Sequence, residues 1–84
     1  MEVEFSILAH SQLLDWKAKN KKIYARIDQL IGNIKQSPYE GIGKPEPLKH
    51  ELSGYWSRRI NKEHRLVYKD TRTSIIVISC KYHY

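Results

Sequence analysis

The chain has 84 residues and a net charge of +6, from 15 Lys and Arg against 9 Asp and Glu. Hydrophobic residues make up 40% and charged residues 29%, which excludes a disordered tail and indicates one small folded domain over residues 1–84. The single cysteine, Cys80, excludes an intramolecular disulfide.

The apolar segments indicate a cytoplasmic protein. The longest uninterrupted apolar run, Ile75–Ile78, is far shorter than the roughly 20 residues that cross a bilayer. The first residues, 1–5, lack the basic region and the long apolar stretch of a signal peptide. We therefore expect no membrane-embedded segment. On charge alone, nucleic acid, an acidic protein and an anionic membrane surface are all candidate partners.

The first 20 residues predict a short strand and a short helix. Val3 and Phe5 alternate with polar residues, as in an edge strand. Ser11 is the predicted N-cap, and apolar residues follow it at once: Leu13, Leu14 and Trp16. Asn20 predicts a break in the helix or a second cap.

A longer helix is predicted from Lys21 to Ser37. One apolar stripe recurs at helical spacing along it: Ile23, Ile27, Leu30, Ile31 and Ile34. The residue before a proline avoids the helical region, so Ser37-Pro38 is the predicted end of this helix.

The second half of the chain predicts an irregular loop followed by strands. Residues 39–47 contain two glycines and two prolines, which is typical of a loop. Alternating patterns then predict strands at 48–52, 55–60, 65–69 and 74–82. The resulting fold class is α+β, with two N-terminal helices packed on one face of a twisted antiparallel β-sheet.

Basic and aromatic residues are concentrated in the strand half. The basic side chains there are suited to phosphates: Lys44, Lys49, Arg58, Arg59, Lys62, Arg65, Lys69 and Arg72. Exposed aromatic rings are suited to unstacked RNA bases. Large aromatic residues are more often buried, however, and we assign Trp56 and Tyr68 to the core.

The same half contains the side chains that metal-free ribonucleolytic cleavage requires. RNA supplies its own nucleophile, the 2′-OH, so the protein must remove that proton, protonate the 5′-oxygen and stabilise the charged transition state. One carboxylate, one histidine and one or two arginines suffice, and Glu46, His83, Arg65 and Arg59 form such a set. By composition alone this is weak evidence, since most small basic domains contain these residue types.

The cysteine and histidines do not follow a zinc-binding pattern. Cys80 with His50, His64 and His83 matches no known ligand spacing, so we expect a buried thiol and neither a metal nor a cofactor. His10 and His64 are predicted at the surface, and His50 is predicted to be partly buried and hydrogen-bonded.

Strand alternation makes a prediction for the end of the chain. Cys80 and Tyr82 share the parity of Ile76 and Ile78, so Tyr82 is the predicted core anchor of the last strand. His83 then points to the opposite face of the sheet, together with Arg65.

Four segments carry a resemblance to a known family. They are Gly43–His50, Leu52–Ile60, Glu63–Tyr68 and Cys80–Tyr84. Together they resemble the YoeB toxins, also called Txe-type toxins, of the RelE/ParE superfamily. The resemblance is strongest from Pro38 onward and implies a RelE-like fold.

The resemblance also implies an activity. YoeB-type toxins are ribosome-dependent endoribonucleases that cut mRNA in the decoding site and so inhibit translation. At the matching positions, Glu46 resembles the general base, His83 the general acid and Arg65 the main transition-state stabiliser. The resemblance further implies three substrate-binding residues: Lys49, Arg59 and Tyr84.

Partners are implied in the same way. The family pairs with a YefM-like antitoxin, whose disordered acidic segment wraps the toxin, and the complex binds its own operator DNA. The mRNA on the ribosome is the expected substrate, and a homodimer is left open. Two alternative functions also stay open: a ParE-like toxin that inhibits gyrase, and a non-enzymatic RNA- or ribosome-binding module.

Overall fold

The computed structural model of the chain describes residues 2–82. Two α-helices, a 3₁₀ helix and five strands follow one another as β1 (Glu2–Phe5), α1 (Ile7–Lys19), α2 (Lys21–Gln36), β2 (Glu46–Pro47), the 3₁₀ helix (His50–Leu52), β3 (Trp56–Arg59), β4 (Arg65–Asp70) and β5 (Ser74–Ser79). No helix in this part of the chain is both long enough and apolar enough to cross a membrane.

The first helix begins five residues earlier than the sequence pattern predicted. Ser6, not Ser11, is the N-cap, because its hydroxyl oxygen accepts a 3.1 Å hydrogen bond from the backbone N–H of Ala9. The same hydroxyl donates to the carbonyl oxygen of Ile78 at 3.2 Å. The start of α1 is therefore fixed by β5, a distant strand that the local pattern does not reveal.

The second helix agrees with its prediction. Asn20 ends α1 and caps α2, where its Oδ1 accepts a 3.2 Å bond from the N–H of Ile23. The predicted apolar stripe faces inward, with Ile27, Leu30 and Ile34 fully buried. The helix ends at Gln36, before the Ser37-Pro38 pair as expected.

The five strands form one sheet in the order β1-β5-β4-β3-β2. Neighbouring strands are antiparallel except for β1, which lies at one edge and runs parallel to β5. Both helices pack against β1, and α1 also packs against β5. The predicted α+β, RelE-like arrangement is confirmed, with a mixed sheet that is mostly antiparallel.

The main core lies between the helices and one face of the sheet. Its fully buried side chains come from both layers: Ala9, Ile27, Leu30, Ile34, Leu66, Tyr68, Ile75, Val77 and Cys80. The assignment of Tyr68 to the core is confirmed, whereas Trp56 packs against the core but stays half-buried.

The segment after the loop departs from its prediction. Glu46 and Pro47, expected in the irregular loop, form a two-residue strand that pairs with β3. The predicted strand 48–52 is wrong, because a 3₁₀ helix forms there and His50 has a φ of 58°. A positive φ interrupts extended backbone. His50 is accordingly exposed rather than partly buried.

A bulge in β5 changes which face the last residues occupy. The register between β4 and β5 shifts beside Val67, which leaves Ile78 as an extra residue on β5. Such an insertion reverses the alternation of faces beyond it. Cys80 is buried in the helix-side core as predicted, with its Sγ 3.6 Å from the carbonyl oxygen of Ala9, but it shares that face with Val77 and not with Ile76.

Strand β5 ends at Ser79, three residues before Tyr82. Tyr82 has a φ of 59° and its side chain is 59% exposed. The prediction that Tyr82 is the core anchor of the last strand is therefore wrong.

The buried thiol of Cys80 makes the free energy of unfolding depend on pH in the alkaline range. Burial raises the pKa of Cys80 from 9.0 to about 11. The folded protein thus keeps the neutral thiol to higher pH than the unfolded chain does. This contribution to stability is complete below pH 9.0 and is lost as the pH rises to about 11.

We expect the wild type to lose about 1–3 kcal/mol more stability over this interval than Cys80→Ala. Denaturant unfolding at a series of pH values measures the difference, since the tyrosine and lysine titrations are common to both proteins. Parallel pH profiles for the two proteins would show that the thiol does not contribute.

Candidate active site

The sheet face opposite the helices carries a small cleft of about 90 Å³. Its lining residues come from β2, β3, β4 and the segment after β2: Glu46, Leu48, Ser57, Arg65 and Val67. Glu46 lies opposite Ser57, and Ser57 lies opposite Val67. Directly opposite residues project to the same face, so strand register alone brings this row together.

Glu46 and Arg65 form an ion pair in the cleft. Arg65 Nη1 lies 3.2 Å from Glu46 Oε2 and 3.5 Å from the hydroxyl oxygen of Ser57. The Glu46 side chain is 62% exposed, whereas that of Arg65 is 24% exposed. An ion pair this open to solvent adds little to stability. The pair is more important for chemistry, because it places a carboxylate that can accept a proton beside a guanidinium that can bind an anion.

The backbone before Glu46 is held by a glycine. Gly43 has a φ of 79°, and a Cβ there would lie 2.8 Å from a methyl carbon of Leu30. Its carbonyl oxygen accepts a 2.6 Å hydrogen bond from the N–H of Arg59. The loop is therefore joined to β3 three residues before Glu46, and the prolines on either side of Glu46 restrict the chain further.

Arg58 holds the rest of this loop and is not available to a phosphate, contrary to its inclusion among the basic side chains suited to phosphates. It is 0% exposed. Its guanidinium donates to five acceptors, namely the hydroxyl of Tyr68 (3.1 Å), Oδ1 of Asn33 (2.6 Å) and the carbonyl oxygens of Ile42 (2.9 Å), Ser37 (2.6 Å) and Glu40 (2.9 Å).

Two further predicted residues are exposed near the cleft. Arg59 lies on β3 directly opposite Arg65, and Lys49 immediately precedes the 3₁₀ helix. Arg59 also reaches a neighbouring hollow of about 330 Å³ that is lined by three more basic residues: Arg26, Lys44 and Lys62. The positive charge around the cleft suits a chain of phosphates.

The remaining predicted residues, His83 and Tyr84, lie outside the described residues. The residue before them, Tyr82, is described, and its backbone is bound to β4. The carbonyl oxygen of Tyr82 accepts a 2.8 Å hydrogen bond from the backbone N–H of Arg65. The chain thus passes beside Arg65 immediately before His83.

Sequence reasoning missed Ser57 and misplaced His64. Ser57 is fully buried beside Arg65, and its parity with Arg59 on β3 was a usable signal. His64, predicted at the surface, is only 6% exposed. Its burial could not be predicted because it follows a turn, where strand alternation gives no guidance. His10 is exposed, as predicted.

The side chains that bind metals are scattered within residues 2–82. No three of the described His, Cys, Asp and Glu residues lie close enough together to hold a metal ion. The cleft itself presents the Glu46 carboxylate and the Arg65 guanidinium.

A small α+β domain of this fold is similar to a class of bacterial toxins. Residues 5–84 match the family model of the YoeB-like toxin of bacterial type II toxin–antitoxin systems. The toxin YoeB of Escherichia coli strain K12 is 48% identical over 84 residues, covering 100% of both chains.

Solved structures of YoeB toxins are similar to this chain as well. The YoeB dimer from Staphylococcus aureus has a TM-score of 0.95 and 45% identity, covering 100% of this chain and 98% of its own. The YoeB–YefM complex from the same organism gives a TM-score of 0.93 and 46% identity with the same coverage. The present chain belongs to the YoeB-like toxin family of type II toxin–antitoxin systems.

Proposed function

We propose that this chain is a single toxin domain that acts in the cytoplasm as a ribosome-dependent mRNA endoribonuclease and needs no metal or cofactor. The observation that carries the proposal is the 3.2 Å contact between Glu46 and Arg65 in a cleft on the open sheet face. Attack by a 2′-OH at a phosphate requires this combination of a proton acceptor and a fixed positive charge. Family membership supports the proposal.

The reaction uses the 2′-OH of the mRNA as its nucleophile. Glu46 accepts the 2′-OH proton as the new bond from the 2′-oxygen to phosphorus forms. Arg65 stabilises the negative charge on the phosphorane-like transition state, and His83 protonates the 5′-oxygen as its bond to phosphorus breaks. The products are a 2′,3′-cyclic phosphate, or the 3′-phosphate after its hydrolysis, and a 5′-OH.

Before RNA binds, Glu46 is paired with Arg65, so binding of the substrate itself can activate Glu46 as the base. The pair joins one guanidinium nitrogen of Arg65 to one carboxylate oxygen of Glu46. An incoming phosphate competes for Arg65 as a bidentate partner. The carboxylate is then released from Arg65 and becomes free to accept the 2′-OH proton.

Basic residues around the cleft bind the remaining substrate. Arg59 and Lys49 contact backbone phosphates, and Tyr84 contacts a nucleotide next to the scissile bond. Arg59 connects the cleft with the basic hollow that includes Lys44 and Lys62, which offers a continuous path for the RNA backbone.

The proposed partners follow from the charge and from the relatives. The structure from Staphylococcus aureus is of a YoeB–YefM complex, and another is of a YoeB dimer. A chain with a net charge of +6 suits an acidic antitoxin segment of the YefM type. We extend the proposal to a homodimer and to operator DNA bound by the toxin–antitoxin complex.

Cleavage of mRNA on preassembled ribosome complexes tests the proposed endoribonuclease function. Purified toxin is mixed with ribosomes stalled on a defined mRNA, and the ends of the fragments are mapped and analysed. We expect cuts in the decoding site that leave a 5′-OH. His83→Ala should cleave about a hundred- to ten-thousand-fold more slowly, as is usual for loss of a positioned acid.

His10→Ala is the matched control, because His10 is an exposed histidine on α1 far along the chain from the cleft residues. A 5′-phosphate product would contradict the mechanism. Intact mRNA with inhibited gyrase would favour the ParE-like alternative, and ribosome binding without cleavage would favour the non-enzymatic module.

A further inference from the structure

The turn between β3 and β4 holds a buried histidine beside the end of the chain. Asn61 Oδ1 accepts hydrogen bonds from the backbone N–H of Glu63 at 2.9 Å and of His64 at 2.8 Å. The carbonyl oxygen of His64 in turn accepts a 3.0 Å bond from the N–H of Ile60. His64 is thus fixed on both sides by backbone bonds and is 6% exposed.

The His64 ring contacts the end of the described chain through one nitrogen. Its Nδ1 lies 2.8 Å from the backbone nitrogen of Tyr82 and accepts that N–H. An amide can only donate, so Nδ1 carries a lone pair and the ring proton of the neutral imidazole is on Nε2. The next residue, Arg65, binds the other backbone polar group of Tyr82, because its N–H donates to the Tyr82 carbonyl oxygen in the following peptide unit.

Two consecutive residues, His64 just before β4 and Arg65 at its start, therefore hold both backbone polar groups of Tyr82. Tyr82 is 59% exposed, and its ring packs beside the His64 ring, with centroids 5.4 Å apart at an angle of 49°. Arg65 lies in the cleft, and His83 is joined to Tyr82 by one peptide bond. A bond at His64 Nδ1 consequently restricts where His83 begins relative to Arg65.

We infer that His64 is a positioning residue for the proposed general acid His83, an inference that rests on the proposed function. The required feature is a hydrogen-bond acceptor at the position of Nδ1, not a charge and not a proton. The ring also packs against Trp16, with centroids 4.7 Å apart at an angle of 70°. Packing alone would make His64 a core residue with no specific part in cleavage.

Replacing His64 by each of the two amide residues distinguishes a role in positioning His83 from a role in core packing. In His64→Asn, the side-chain oxygen can take the place of Nδ1, whereas in His64→Gln the amide reaches the position of Nε2. Both variants lose the ring that packs on Trp16, so both should lose similar stability. Only the asparagine keeps the acceptor for the N–H of Tyr82.

Single-turnover cleavage with saturating toxin measures the effect on the chemical step. We expect His64→Asn to stay within about threefold of the wild type, and His64→Gln to be about ten- to hundredfold slower, as misplacement of a catalytic group predicts. Binding to the ribosome should be equal for the two variants. Equal cleavage rates for both variants, whether fast or slow, would overturn the inference.

A measurement on the wild type keeps the inference testable if neither variant folds. The bond predicts a scalar coupling in nuclear magnetic resonance between the amide nitrogen of Tyr82 and Nδ1 of His64, and slow hydrogen exchange at the Tyr82 amide. Lack of the coupling in folded protein would overturn the inference. If the bond is present and the wild type does not cleave mRNA, the proposed function fails while the contact stands.

Discussion

Replacement of Glu46 by glutamine is expected to slow mRNA cleavage by about a hundred- to ten-thousand-fold. The substitution keeps the shape of the side chain and one oxygen that can accept the 3.2 Å bond from Arg65. It removes the ability to take up a proton. Fold, stability and ribosome binding should therefore stay close to the wild type, and only the rate of the chemical step should fall.

The matched control is Glu51→Gln, which makes the same change of charge at an exposed position in the 3₁₀ helix. It separates a general gain of positive charge, which strengthens attraction to RNA, from loss of the base. Single-turnover rates on preassembled ribosome complexes give the comparison. Equal rates for Glu46→Gln and the wild type would remove Glu46 from the mechanism.

Local patterns predicted the helical half of the fold well. The stripe that includes Ile27, Leu30 and Ile34 is a periodic signal over sixteen residues of α2, and the cap at Asn20 lies within one turn of the atoms that it binds. The cap of α1 was missed because Ser6 is fixed partly by a carbonyl oxygen of β5, 72 positions further along the chain. Such a contact has no local signal.

Strand alternation was less reliable where strands are short or bulged. One extra residue, Ile78, moves Cys80 to the helix side, and a positive φ at His50 ends the pattern after β2. Alternation gives a face only while the register is regular. The predicted burial of Cys80 is confirmed, whereas the predictions for His50 and Tyr82 failed because both residues lie outside the strands with a positive φ.

The candidate site was predicted in its residue types and partly in its geometry. Glu46 and Arg65 were grouped by chemistry and by family resemblance, and the structure brings them to 3.2 Å. What the sequence did not reveal is how each is held. Arg58 and His64, the two residues that bind the loop and the chain end, looked like surface residues, because basic and histidine side chains are usually exposed.

These two supports both lie between the cleft residues Ser57 and Arg65 along the chain, but they bind two different segments. Arg58 binds carbonyl oxygens of the loop that leads to Glu46, and His64 binds the peptide that leads to His83. Both bind uncharged groups, most of them in the backbone, and neither contact is an ion pair. The cleft side chains can therefore exchange partners when RNA binds while their backbone stays fixed.

Replacement of Arg58 by methionine is expected to lower the free energy of unfolding by at least about 3 kcal/mol, because each buried acceptor left without a donor costs about 1–3 kcal/mol. The substitution keeps a long apolar stem but removes all five N–H groups. Oδ1 of Asn33 and the carbonyl oxygens of Ser37, Glu40 and Ile42 each lose a donor.

Apolar replacement of a buried charge can be neutral when its partner is replaced as well. The acceptors around Arg58 are mostly backbone groups that no side-chain substitution removes, so the compensation is missing here. A domain of this size has only about 5–15 kcal/mol of stability, and about 3 kcal/mol corresponds to a decrease of more than about 10 °C in melting temperature.

The matched control is Arg59→Met, the same substitution one residue along β3 at an exposed position. Its stability should remain within about 0.5 kcal/mol of the wild type, as is usual at the surface. Denaturant unfolding of both variants at one fixed concentration of toxin, without antitoxin, measures the difference, because a bound partner would stabilise both by mass action. A loss below about 1 kcal/mol for Arg58→Met would show that the loop carbonyls find water when the guanidinium is removed. The loop that leads to Glu46 would then be held chiefly by Gly43 and its bond to Arg59.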